Sequence, residues 1–178
     1  MEYKMLEKQD IELMKYFVDD ENTKYDEGIL NSFLEEKNTY GYIAKENDII
    51  VGFAFGYVLV KPNGIKDFYL HAIDIMEEYQ SHGYGTELVK YINSHSKSIG
   101  CRKMFLITNK SNISACRCYE KAGGINTTND EIVYAYKWLN YDKFQFIEQL
   151  EKFEFYVIKK MSINIDIFFC KKTIEINF

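Results

Sequence analysis

Apolar and polar residues change their spacing several times along this chain, and each change marks an element. "YKMLEK" alternates briefly and predicts a short strand, and "DIELMKYFVDDE" then repeats apolar residues at Ile11, Met14 and Phe17, a helical spacing that Asp10 is placed to cap. A second helix fits "DEGILNSFLEEKN". At Tyr40 the period drops to two. "YGYIAKEN" and "IIVGFAFGYVLV" are rich in β-branched and aromatic residues and flank a polar turn at Asn47 and Asp48, which predicts a hairpin. "KPNG", holding the sole proline, Pro62, is a turn that leads into the strand "DFYLHAIDIM". Beyond it the pattern predicts the helix "GTELVKYINSHSKSIG" ended by Gly100, the strand "RKMFLITN", the helix "NISACRCYEKAG" ended by Gly123 and the strand "EIVYAYKWL". Antiparallel strands followed by strand–helix–strand crossovers imply an α/β chain, with a mixed central β-sheet flanked by helices on both faces.

Between the strand "DFYLHAIDIM" and its following helix lies "YQSHGYGTEL", with two glycines ahead of a helical run. Unpaired amides and the helix dipole make such a turn a natural seat for an anionic cofactor. A triphosphate loop would need Lys and then Ser or Thr after its second glycine, where this chain has Thr86 and Glu87, and a dinucleotide fingerprint would need a third glycine where it has Leu88. What remains is a coenzyme A pyrophosphate turn of the form Gln/Arg-x-x-Gly-x-Gly/Ala, matched by Gln80, Gly83 and Gly85, or an ordinary turn that caps a helix.

Composition narrows the partners. With 178 residues the chain is long enough for one well-buried domain, and a net charge of −5 without a Lys/Arg cluster argues against nucleic acid and for a cationic substrate. The charged start "MEYKMLEKQD" has no apolar signal core, and no stretch approaches the roughly 18 apolar residues of a membrane span, so a cytoplasmic protein without membrane contact is expected. Cys101, Cys116, Cys118 and Cys170 have neither zinc-site nor disulfide-framework spacing, so reduced thiols and no metal are expected.

From about residue 3 to residue 138 the chain resembles the GCN5-related N-acetyltransferases. The strand "LHAIDI" followed by Gln80-x-x-Gly83-x-Gly85 carries half of the likeness. "NISACRCYEKAG", which is similar to that family's Asn-x-x-Ala-x-x-x-Tyr-x-x-x-Gly helix, carries the other half. One departure is Gly124, where the family usually has Phe. Within the family the two stretches look most like small-amine enzymes: the aminoglycoside 3-N-acetyltransferases and, for the pair His71 and Ala72, the arylalkylamine N-acetyltransferases.

The resemblance implies acetyl-CoA as cosubstrate and a GNAT domain over residues 1–138. It puts the pantetheine amides on the strand edge at Ile73 and Ile75, where that strand would splay from its neighbour, and the pyrophosphate on the Gln80 turn. There, Ser81, His82, Gly83, Tyr84, Gly85 and Thr86 offer backbone amides. A main-chain amide at Ile75 or Met76 would receive the thioester oxygen. Strict alternation along "FYLHAIDIM" puts Tyr69, His71, Ile73 and Ile75 on one face, opposite Phe68, Leu70, Ala72 and Asp74. His71 is then either the general base that frees the amine or a structural histidine bonded to a carbonyl. Asn112, Ala115 and Tyr119 share one helix face. The family pattern makes Tyr119 the general acid at the departing sulfur and Asn112 a polar contact to the coenzyme, against the plain reading of a packed tyrosine.

The reading is an N-acetyltransferase in which a primary amine of a small cationic substrate, an aminoglycoside first, attacks acetyl-CoA directly in a ternary complex. Acetylation of a protein or peptide amine, or a non-catalytic acyl-CoA sensor, are the competitors. Acidic pairs that can hold the cation are Asp26 with Glu27, Glu77 with Glu78, and Asp130 with Glu131. Residues 139–178 fall outside the resemblance. They suggest an amphipathic helix at "YDKFQFIEQLEKF" and short strands at "EFYVIKK", "INIDIFF" and "TIEINF", which would pad the sheet, build a homodimer contact or form an extension.

Overall fold

A computed structural model describes residues 1–18 and 24–127. The strand expected over 131–139, the elements expected across 141–178 and the acidic pair Asp130–Glu131 lie outside the described residues. Among the described residues five strands form one sheet in sequence order: β1 (Glu2–Met5), β2 (Thr39–Glu46), β3 (Ile49–Val60), β4 (Lys66–Ile75) and β5 (Cys101–Phe105). The first four run antiparallel to their neighbours, and β5 lies parallel to β4, so the sheet is mixed as expected. The β2–β3 turn is made by Asn47 and Asp48, both at positive φ (47° and 67°), which is the mirror-image geometry that suits the twist of a tight hairpin.

Helices cover both faces. On one face α3 (Tyr84–Ser98) presses Leu88, Val89 and Ile92 onto Tyr42, Ala54, Val58, Phe68 and Leu70, and α4 (Ile113–Lys121) adds Cys118 and Tyr119 to the edge of this core. Each fully buried aliphatic side chain there contributes about 1.5–3 kcal/mol. On the other face a 3₁₀ turn (Lys8–Met14), α1 (Lys15–Val18) and α2 (Glu27–Glu35) bury Ile11, Met14 and Leu30 against Ile43 and Ile50.

Three local expectations need correction. Asp10 does not cap the first helix. That segment opens at Glu7, whose N–H donates to Asp10 Oδ2 at 3.2 Å, so Asp10 sits three residues inside, buried and paired with Lys4 Nζ at 2.8 Å. The expected helix over 10–21 begins instead as the 3₁₀ turn, with only Lys15–Val18 α-helical among its described residues. Finally, β5 ends at Phe105 rather than at Asn109, because its pairing with β4 stops at Tyr69 opposite Phe105. Beyond that point β5 and β4 part, and no other strand of the described residues pairs with β5 to satisfy its backbone.

Candidate active site

The parting of β4 from β5 is the centre of the site. Leu70–Ile75 continue as strand on the β3 side, where Gly52 faces Ile75, Phe53 faces Asp74 and Ala54 faces Ile73, while no β5 residue is paired with them. The Met76 N–H donates to Val51 O at 2.9 Å, toward β3. Successive residues of a strand point their N–H and C=O groups to alternate sides, so those of Ile75 and Ile73 turn toward the gap that β5 has left. The same bond corrects one expectation. Met76 is 8 % exposed and its amide is committed to Val51, so of the two main-chain donors expected for a thioester oxygen only the Ile75 N–H faces the gap.

The face pattern of β4 also differs from strict alternation. Phe55 is paired with Ala72 and Gly56 with Leu70, which leaves His71 as the extra residue of a β-bulge. Gly56 makes the bulge feasible, because a Cβ there would run into the Tyr69 carbonyl and the Phe68 ring. One inserted residue reverses the parity of everything after it. Ile73 and Ile75 therefore join Phe68 and Leu70 in the core under α3, and Asp74, opposite Phe53, lies on the other face. His71 does not share a face with Ile73 and Ile75. Its ring stands among Phe55, Tyr57 and Tyr69, at centroid separations of 5.0, 5.7 and 5.5 Å, and burial by these rings holds its pKa below the usual histidine value. The imidazole is thus neutral at pH 7 while its edge still reaches solvent. Sequence reasoning put Asp74 on the wrong side. The structure brings it to the His71 face, and only the bulge, which the cross-strand partners decide, reveals this.

Next to the gap the chain turns through Glu77–Tyr79 and the glycine segment into α3. Ser81 (φ 64°) and Gly83 (φ 85°) both take left-handed conformations, and Gly83 is the N-cap of α3 without any side-chain cap. The first bond of the helix runs from Glu87 N–H to Gly83 O at 3.1 Å, so the amides of Tyr84, Gly85 and Thr86 have no intrahelical acceptor. Donors, dipole and bare backbone converge on one exposed turn, which fits a pyrophosphate. His82 stacks on Tyr84 at 5.6 Å and bonds the Gln80 carbonyl through Nδ1 at 2.7 Å. The Gln80 side chain, expected at the coenzyme, donates from Nε2 to Ile75 O at 2.8 Å. A Cβ at Gly85 would sit 3.5 Å from Ile75 Cγ1 and 3.4 Å from Cys118 Sγ, so β4, α3 and α4 meet there. Thr86 Oγ1 reinforces the junction by donating to Cys118 Sγ at 3.6 Å.

Asn112 is the N-cap of α4, with Oδ1 accepting from Ala115 N–H at 3.1 Å. Tyr119 packs on the same core as Ile73 and Ile75, and burial, followed by the Cys118 and Cys116 thiols, pushes its pKa up to about 12. Its hydroxyl stays protonated at any physiological pH and acts as a donor. Gly124 N–H bonds back to Tyr119 O at 2.9 Å, closing the turn after α4. Of the acidic candidates, Asp26 accepts from Ile29 N–H as the cap of α2, and Glu77 and Glu78 are exposed. No helix of the described residues is long and apolar enough to cross a membrane.

The sequence model of the Acetyltransferase (GNAT) family matches residues 6–124. Among solved structures, the fold is similar to an aminoglycoside acetyltransferase from an uncultured soil metagenomic sample in complex with sisomicin, at TM-score 0.66 and 20 % identity over 78 % of this chain and 96 % of that one. It is also similar to the aminoglycoside N-acetyltransferase AAC(6')-Iy in complex with CoA, at TM-score 0.60 and 17 % identity over 77 % and 100 %. A third is a ribosomal-protein-alanine N-acetyltransferase from Brucella melitensis biovar Abortus 2308, at TM-score 0.61 and 16 % identity over 77 % and 98 %. The family match spans most of the chain and both motifs, and so the chain belongs to the acetyltransferase (GNAT) family, with acetyl-CoA as its cosubstrate.

Proposed function

We propose that this acetyltransferase moves the acetyl group of acetyl-CoA onto a primary amine of a small cationic substrate by direct attack in a ternary complex. The observation that carries the reading is the β4 edge at Ile73 and the Ile75 N–H, which β5 leaves unpaired, lying beside an uncapped, glycine-rich helix N-terminus. An extended pantetheine arm fits the edge as an added strand, and its pyrophosphate fits the amides of Ser81–Thr86. The Ile75 N–H then meets the thioester oxygen as negative charge builds on it.

The gap lies between two strands, so it is open to both faces of the sheet. The His71 face receives the amine. Asp74 on that face attracts the ammonium, and neutral His71, directly or through water, takes its proton. The amine nitrogen attacks the carbonyl carbon, the C–S bond breaks, and the sulfur leaves on the α3 side, where the Tyr119 hydroxyl donates to it and is reprotonated from water. Aminoglycosides, the substrate class in the names of two similar structures, are the first acceptors to test. Acetylation of a protein or peptide amine is the second reading, favoured by the likeness to a ribosomal-protein-alanine N-acetyltransferase.

Thiol release from acetyl-CoA across a panel of aminoglycosides, simple amines and peptide N-termini tests both. His71→Gln is expected to lower turnover by roughly 10²-fold and to remove an acid-side inflection below about pH 6.5. Coenzyme binding without thiol release to any amine overturns the reading.

A further inference from the structure

The peptide joining Ile75 to Met76 is held at both ends. Its carbonyl accepts from Gln80 Nε2 at 2.8 Å and its N–H donates to Val51 O at 2.9 Å. Gln80 is itself fixed in the turn, with its N–H on Glu77 O at 3.1 Å and its carbonyl bonded by His82 Nδ1 at 2.7 Å. We propose that Gln80 is a positioning residue, whose side chain ties the pyrophosphate turn to the end of β4 and sets the Ile75 main chain for the thioester, without touching the coenzyme.

Two observations lead there. The Ile75 carbonyl turns toward the gap between β4 and β5, where no strand of the described residues supplies it with a donor, and Gln80 supplies one. Left without that bond, the last residue of β4 would be held from the β3 side alone. Gly85 lies against the Ile75 side chain, so the turn, the helix start and the strand end already form one junction, and a bond across it fixes their separation. That separation is the span between pyrophosphate and thioester along the coenzyme.

The inference rests on the acetyl-transfer reading for its kinetic arm and on the hydrogen bonds alone for its structural arm. Gln80→Met keeps the length and loses the donor, Gln80→Glu keeps the shape and loses the donor, and Gln80→Arg keeps a donor. The oxyanion contact strengthens in the transition state, so Gln80→Met and Gln80→Glu are expected to lower kcat at saturating acetyl-CoA by about tenfold or more, while CoA affinity by calorimetry shifts less than about threefold. Gln80→Arg is expected to return kcat to within about threefold of the parent. Independently of activity, hydrogen exchange of the Met76 amide in folded Gln80→Met should speed up at least about tenfold, because the peptide is then held at one end.

Weakened affinity with kcat intact would make Gln80 a coenzyme contact and overturn the proposal. So would full activity in Gln80→Met, or Gln80→Arg performing no better than Gln80→Met. If the parent enzyme transfers acetyl to no amine, the acetyl-transfer reading falls, and Met76 exchange decides the tie: parental protection in Gln80→Met refutes it.

Discussion

The two glycines of the turn are alike in sequence and opposite in physics, which makes the pair Gly83→Ala and Gly85→Ala a sharp test. Gly83 has φ 85°, and a Cβ built on it meets nothing within 4 Å. Alanine there costs about 1–2 kcal/mol of left-handed strain, offset by about 0.4–1 kcal/mol from the stiffer unfolded chain. The net loss is about 1 kcal/mol, or about 2–4 °C in Tm for a chain of this size. The added methyl also projects into the open space that a pyrophosphate must enter, and losing one charge-assisted amide bond there costs about 1.5–3 kcal/mol, at least tenfold in acetyl-CoA affinity. Gly85 is inside α3, and its Cβ would rest at 3.4 Å from Cys118 Sγ and 3.5 Å from Ile75 Cγ1, ordinary contact distances. Alanine in a helix interior gains about 1 kcal/mol over glycine, less in the first turn, so Gly85→Ala is expected to melt at or slightly above the parent temperature and to bind acetyl-CoA within a few-fold. Calorimetric titration and thermal melts of both variants decide it. A Gly83→Ala protein with parental affinity and Tm, or a Gly85→Ala protein worse than Gly83→Ala in both, would refute the reasoning.

Tyr119→Phe keeps the packed ring and removes only the hydroxyl, so kcat should fall about 10- to 100-fold with acetyl-CoA affinity unchanged. Because burial holds this tyrosine near a pKa of 12, its ionisation should give the parent no alkaline loss of activity below about pH 11, and an earlier loss assigned to Tyr119 by its absence in Tyr119→Phe would count against the acid role. In the core, His95 Nδ1 and the Tyr42 hydroxyl are hydrogen-bonded at 2.9 Å, and burial lowers the His95 pKa. The unfolded chain then takes up the proton more readily than the folded one, so His95 lends stability that is full above about pH 6.5 and declines as pH falls below it. Urea midpoints at pH 7.5 and 5.5 should differ less in His95→Gln than in the parent, and an equal difference would assign the acid sensitivity elsewhere.

Much of the fold is written in local chemistry. Asn47 and Asp48 specify the hairpin because few other residues take positive φ in succession, and Gly83 marks the left-handed start of α3 for the same reason. The helix face of Asn112, Ala115 and Tyr119 follows from spacing alone. What the residues did not disclose depends on partners far away in the chain. "FYLHAIDIM" reads as an even alternation, and nothing within it announces that Gly56 on the neighbouring strand allows an extra residue at His71. The direction of the Met76 amide is fixed by Val51, a residue of a different strand, and the early end of β5 by where β4 stops pairing. Asp10 misled because a residue suited to capping lay three positions inside a segment already opened by Glu7. In each case main-chain geometry, common to all residue types, carried the information.

The bulge in β4 has a meaning for how this chain can change. A strand with strict alternation ties its two ends together, since losing or gaining a residue at one end inverts the other. Here the inversion is already built in at a single place. Deleting His71 would remove the one residue outside the ladder: Leu70 opposite Gly56 and Ala72 opposite Phe55 would become adjacent pairs, and strict alternation would then keep Ile73 and Ile75 in the apolar core beneath α3 and Asp74 on the opposite face. What the deletion takes away is the imidazole and the local bend of the bulge. Point substitutions at His71 spare the arrangement as well, because the pairs on either side of it are untouched. The position is therefore open both to exchange of side chain and to loss of one residue, so the acceptor chemistry at this point of the strand can diversify while the coenzyme edge downstream keeps its face of the sheet.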